Sequence, residues 1–170
     1  MELKKMTIDE REVLFEEGKT VLQVARENDI YIPSLCYHEK TGPAAKCRIC
    51  LVEVEGMRGL QTACSLPAKE DMEVYTHTEE VLEAQKLFIN LLLAGGQHNC
   101  LSCEANGECE LQQACYHLGI EVPAFYIPPE ELLCDTSSEM IIREPGKCIK
   151  CGRCIEGCNK TVVNEVLDFG

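Results

Sequence analysis

Four cysteines, Cys148, Cys151, Cys154 and Cys158, stand at C-x2-C-x2-C-x3-C. This spacing constrains the chain more than any other feature it has. Such a run turns successive thiolates toward one [4Fe–4S] cubane, and in two-cluster ferredoxins its fourth cysteine ligates the other cluster. Structural zinc sites are built from separated pairs and have little use for three cysteines at that pitch. Cys148, Cys151 and Cys154 are therefore assigned to a cubane. The fourth ligand stays open. Cys158 would have to bend back through the flexible Gly157, Cys134 would have to reach across from upstream, or the corner is left incomplete.

The chain carries 13 cysteines in 170 residues, and the others also fall into groups. Cys36, Cys47, Cys50 and Cys64 form the first. Cys47-Arg48-Ile49-Cys50 is a C-x2-C pair, preceded by a loop with Gly42, Pro43, Ala44 and Ala45. Small residues there let backbone N–H groups approach cluster sulfurs. Four thiolates suit a [2Fe–2S] cluster, although plant-type ferredoxins place four residues in the first gap and this chain places ten. The competing reading is a zinc site with four Cys ligands, which ordinarily uses two C-x2-C pairs rather than one. The second group is Cys100, Cys103 and Cys109, three thiolates that need a fourth ligand. His98 and Cys115 both qualify on spacing. Cys115 and Cys134 otherwise read as small buried hydrophobes.

Cysteine this dense belongs either to secreted disulfide scaffolds or to metal and redox sites. The start of the chain, Met1-Glu2-Leu3-Lys4-Lys5, opens no apolar signal core, and the longest apolar run, residues 87–94, is too short to span a bilayer. A soluble, cytoplasmic protein without a membrane span is expected. The formal net charge of −13 argues against nucleic acid as a partner and suits docking to basic faces of other proteins.

Residues 3–8 and 12–15 read as a hairpin, and Thr20 with Gln23 as a capping box opening a short helix. Residues 50–54, 60–63 and 72–75 read as further strands. A second helix is expected from a capping box at Thr76 and Glu79 to Gly95, with Val81, Leu82, Leu87, Phe88, Leu91 and Leu92 on its core face. Residues 110–118 read as a third helix, and residues 121–132, with Pro123, Pro128 and Pro129, as a linker. The expected fold class is α+β: a β-grasp [2Fe–2S] ferredoxin domain over 1–77, a small helical His/Cys cluster domain over 78–120, and a linker with a partial bacterial-ferredoxin-like [4Fe–4S] segment over 121–170. Beyond the first domain large apolar residues are few, so metal should contribute to folding there.

With these groups in order, the chain resembles the N-terminal iron–sulfur region of the large iron–sulfur subunit of complex I. Iron-only hydrogenases, NAD-linked formate dehydrogenases and the diaphorase small subunit of NAD-reducing hydrogenases share that region. The resemblance rests on Ser34-Leu35-Cys36-Tyr37-His38, Cys47-Arg48-Ile49-Cys50-Leu51-Val52-Glu53-Val54, Thr62-Ala63-Cys64, Cys103-Glu104-Ala105-Asn106-Gly107-Glu108-Cys109-Glu110-Leu111-Gln112 and Cys148-Ile149-Lys150-Cys151-Gly152-Arg153-Cys154. It covers essentially the whole chain, and the ten-residue gap after Cys36 is usual in it. It implies a middle cluster held by one His and three Cys. Gly96-Gln97-His98-Asn99-Cys100 is similar to the diaphorase form, which favours His98 over Cys115. Relatives usually continue into a second four-cysteine run, whereas this chain ends at Gly170.

The resemblance implies one [2Fe–2S] cluster, one to two [4Fe–4S] clusters, and flavin and NAD(P) on a partner subunit. The expected role is a non-catalytic electron-transfer subunit between an NAD(P)H-oxidising flavoprotein and a further redox subunit: a hydrogenase, a formate dehydrogenase or a ferredoxin-reacting unit. The alternatives are the N-terminal module of a larger catalytic chain and a zinc-stabilised interaction module. His38, His77 and His117 have no evident catalytic neighbours, and no hydrolytic triad is present in the sequence.

Overall fold

A two-residue turn at Asp9 and Glu10, both at positive φ (50° and 65°), folds the first strand back on itself. Such turns match the right-handed twist of the strands they join. The computed structural model describes residues 3–125, 127–128 and 134–168. Strand β1 (Lys4–Ile8) pairs antiparallel with β2 (Arg11–Phe15), Ile8 facing Arg11 across the turn. Alternation sends Met6, Ile8, Val13 and Phe15 to one buried face and leaves Leu14 in solvent. Helix α1 (Val21–Glu27) covers that face with Val21, Leu22, Val24 and Ala25. The capping box forms as expected: Thr20 accepts from the Gln23 N–H, and the Gln23 side chain accepts from the Thr20 N–H at 2.9 Å.

Strands β3 (Leu51–Val54), β4 (Gln61–Thr62) and β5 (Glu73–Tyr75) complete a five-stranded mixed sheet of order β2-β1-β5-β3-β4. Only β1 and β5 run parallel. Val52, Val54 and Val74 join the β1–β2 face and α1 in a first core, which also takes in Cys50 and Cys64. The class is α+β.

Helix α2 (Glu79–Ala94) starts two residues later than the expected capping box at Thr76. Thr78 caps it, accepting from the Val81 N–H, with Glu79 and Glu80 in the first turn where the helix dipole favours them. Thr76 is drawn off to β1–β2: its N–H and hydroxyl donate to the Asp9 carboxylate at 2.7 and 2.5 Å. The buried stripe of α2 also differs. Val81, Gln85 and Ile89 lie innermost, with Leu82, Phe88 and Leu92 beside them, while Leu87 and Leu91 face solvent. The i, i+4, i+8 line through Gln85 carries the contact because Gln85 Nε2 donates to the Leu51 carbonyl at 2.9 Å, pinning α2 to β3.

Helix α3 (Glu110–His117) packs beside α2, and Leu35, Ile49, Ile89, Leu111, Ala114 and Leu118 form a second core. Cys36 and Cys47 belong to this core rather than to the first. The stretch after α3 crosses α2, where Asn90 Oδ1 accepts from the Ala124 N–H at 2.7 Å. Part of the expected linker, residues 126 and 129–132, lies outside the described residues. Among the described residues no helix is long and apolar enough to cross a membrane.

Gln85 is 1% exposed, so losing its amide strands a buried carbonyl. Gln85→Met, which keeps most of the volume, is expected to cost about 1–3 kcal/mol in chemical unfolding.

Candidate metal centres

The first group meets where the two cores adjoin. All four thiols are buried. They are linked in a chain, Cys47 to Cys36, Cys36 to Cys64 and Cys64 to Cys50, through sulfur hydrogen bonds. The Cys47 and Cys64 thiols, with the Cys47 and Lys46 backbone N–H groups, hold Cys36 far below the ordinary thiol range. Hydrogen bonding to Cys64 lowers Cys50 as well. Cys64 and Cys47 are pushed up, first by donating to Cys36 and then, among other causes, by burial. These causes act at Cys36 and Cys50 in the direction of the thiolate form that metal requires.

The backbone explains the local fit. Ala45 at φ 53° and Arg48 at φ 59° take left-handed conformations, turning the loop around Cys47 so that amides face sulfur. Among the described residues, no three His, Cys, Asp or Glu side chains gather around the position of one ion.

The second group lines a cavity of about 670 Å³ between α2, α3 and the last cysteine run. His98, Cys100, Cys103 and Cys109 border it, as do Cys115 and Cys151. His98 Nε2 is buried and has no hydrogen-bond partner, which is costly unless something in the cavity satisfies it. The ring sits against Gly96, where a Cβ would fall 2.8 Å from Nε2 and 3.2 Å from the Gly146 carbonyl. The rival ligand Cys115 lies inside α3, 9% exposed, within the second core. Burial pushes its thiol up, and Cys100 and Cys109 push the same way.

In the third group, Lys150 (φ 54°) and Gly152 (φ 79°) turn the chain between cysteines, and the Lys150 N–H donates to Cys148 Sγ at 3.4 Å. Gly152 precedes the short helix α4 (Arg153–Glu156), and a π-turn over Gly157–Val162 carries Cys158. Cys148 and Cys154 are exposed, Cys158 is half-buried, and Cys134 is exposed.

Three contacts across the groups have no signature in the sequence. Cys151 faces the second group's cavity. The Gln97 N–H donates to the Gly146 carbonyl at 2.7 Å, joining the segment before Cys100 to the segment before Cys148. Arg153 pairs with Glu110 and donates to the Tyr37 carbonyl at 2.8 Å. His38 and His77 lie at the surface, and His117 stacks edge-on against Tyr31.

Comparison with known proteins agrees with this geometry. Residues 5–79 match a 2Fe-2S iron-sulfur cluster binding domain, and residues 85–123 match the NADH-ubiquinone oxidoreductase-G iron-sulfur binding region. The crystal structure of an NAD+-reducing [NiFe]-hydrogenase in the H2-reduced state superposes with a TM-score of 0.89 at 32% identity, over 98% of this chain and 70% of that one. The chain belongs to the iron–sulfur family whose members share this region. Among relatives, it is 36% identical over 152 residues to the gamma subunit of the NAD-reducing hydrogenase HoxS of Cupriavidus necator, covering 89% of this chain and 64% of that one. It is 38% identical over 172 aligned residues to the NADP-reducing hydrogenase subunit HndD of Solidesulfovibrio fructosivorans, covering 98% of this chain and 29% of that one. The chain thus spans only part of each of these two relatives.

Gly96→Ala should displace the His98 ring, because the new methyl meets Nε2 on one side and a backbone carbonyl on the other. The expected result is an altered four-iron EPR signal with an unchanged two-iron signal in the same sample.

Proposed function

We propose that this chain is an iron–sulfur electron-transfer subunit that relays electrons between an NAD(P)H-oxidising flavoprotein and a partner redox enzyme, a hydrogenase, a formate dehydrogenase or a ferredoxin-reacting unit. The observation that carries the reading is that three cysteine groups are folded against one another, with Cys151 of the third bordering the cavity of the second. A bound cluster supplies reversible one-electron storage, whereas nicotinamides exchange hydrides, so a flavin on the partner must bridge the two.

In this reading Cys36, Cys47, Cys50 and Cys64 hold a [2Fe–2S] cluster within a β-grasp domain over 1–77. His98, Cys100, Cys103 and Cys109 hold a [4Fe–4S] cluster in a helical domain over 78–120. Cys148, Cys151 and Cys154 hold a second [4Fe–4S] cluster in the segment 121–170, with Cys158 as fourth ligand. Cys158 lies in the turn that directly continues α4, the helix carrying Cys154, and this supports that choice. The chain's residues bind and orient. Backbone amides around Cys47 face the first group's sulfurs, and the two apolar cores keep bulk water from them. The acidic surface suits partners with basic docking faces. A second reading is the N-terminal module of a larger catalytic chain, favoured by the match covering only 29% of the Solidesulfovibrio relative. The mass of the native polypeptide separates the two.

Anaerobically purified protein should show iron–sulfur absorption and EPR signals, and NADH should reduce it only when the flavoprotein is added. Zinc in place of iron, with no EPR signal on reduction, would sink the proposal. His98→Ala should weaken or change one four-iron signal and spare the others. Disruption by Cys115→Ala in its place would reassign that ligand. Cys158→Ser should lower the iron content on metal analysis, and Cys134→Ser should leave it unchanged.

A further inference from the structure

One guanidinium touches all three cysteine-bearing segments. Arg153 lies between Cys151 and Cys154. Its two Nη groups both donate to the carboxylate of Glu110, the residue after Cys109. Nη2 also donates at 2.8 Å to the carbonyl of Tyr37, the residue after Cys36 and 116 positions from Arg153. Its Nε is buried and has no hydrogen-bond partner, and Arg153 and Glu110 both line the cavity that His98, Cys100, Cys103 and Cys109 border. Planar, forked donation of this kind fixes orientation as well as distance, which lysine cannot reproduce.

We propose that Arg153 and Glu110 are a positioning pair for electron transfer. They lock the three ligand segments together, and their balanced charges set the reduction potential of the cluster in the cavity. The inference rests on the functional reading above and adds to it a role for two residues that are not ligands. Reduction there adds one electron, so the occupied cavity becomes more negative by one charge. An unpaired Arg153 cation nearby favours that state, and an unpaired Glu110 anion opposes it. Together they nearly cancel. The Arg153 side chain is 26% exposed and that of Glu110 49%, so solvent reduces the size of each effect and leaves its sign.

A purely structural ion pair behaves differently: either single substitution loosens the same contact, so both would disturb the cluster in the same direction. Opposite shifts are the signature of charge. The experiment is a mediated redox titration of the full chain, purified anaerobically and read by low-temperature EPR. The wild type is compared with Arg153→Gln, Glu110→Gln, the double variant and Arg153→Lys. The signal followed is the four-iron signal that His98→Ala alters, and the two-iron signal serves as a control for intact folding.

Arg153→Gln should lower the midpoint of that signal, Glu110→Gln should raise it, and the double variant should fall between them. Arg153→Lys should restore the midpoint toward wild type, since it keeps the charge. It should broaden the signal, since the fork to Glu110 and Tyr37 is lost. If Arg153→Gln loses the cluster, the near-isosteric Glu110→Gln decides: a raised midpoint supports the proposal and an unchanged one overturns it. Shifts of the same sign, or none in either variant, overturn it while the relay reading stands. A wild-type chain with no four-iron signal sensitive to His98 overturns both.

Discussion

Negative sulfur must be crowded together here, and the rest of the structure is arranged around the cost of doing so. Four thiols at the junction of two cores would repel one another as thiolates and waste their burial as thiols. The chain resolves this with backbone. Amides of Lys46, Cys47 and Ile49 face the sulfurs of Cys36 and Cys47, because Ala45 and Arg48 adopt left-handed conformations that turn the loop inward. Those dipoles stabilise charge without adding a mobile counterion. The sheet and α1 stand behind Cys50 and Cys64, while α2 and α3 stand behind Cys36 and Cys47. The first group is therefore a seam between two packing units, and each supplies two of its four sulfurs.

That seam explains the buried glutamine. Gln85 is a polar residue in the centre of an apolar helix face, yet its amide reaches Leu51, the residue after Cys50. The hydrogen bond holds the second core in register with β3, the strand that follows Cys50. Replacing it with an apolar contact would keep the volume and lose the register, which matters where sulfur positions must be held to fractions of an ångström.

Local features were readable from the sequence because their causes are local. The hairpin at Asp9 and Glu10, the Thr20 capping box, the stop at Gly95 and the helix from Glu110 each depend on neighbours within a few positions. The α2 start, and the place of Gln85 in its buried face where Leu87 and Leu91 were expected, escape the sequence for the opposite reason. Thr76 is claimed by Asp9, 67 positions away, and Gln85 by Leu51, 34 away, and periodicity carries no trace of either. Spacing likewise identified the cysteine groups, while their mutual arrangement stayed hidden. Nothing in the run Cys148–Cys158 indicates that Cys151 faces the cavity bordered by His98, or that Arg153 reaches Glu110 and Tyr37. The orphaned Nε2 of His98 and the close approach of Gly96 are equally matters of three-dimensional packing.

The hydrogen bond from Gln97 to Gly146 bears on how the molecule is made. Chains leave the ribosome from the N-terminus, and their units fold in that order. The first group is complete once the turn after β4, which carries Cys64, has emerged and the α2–α3 core has closed over Cys36 and Cys47. The middle cavity has no such independence, for one of its walls is the segment that follows Gly146. Until that segment arrives, that side of the cavity bordered by His98 and the three cysteines stands open to solvent, where thiols oxidise. The middle cavity is therefore the last of the two to close as the chain is made.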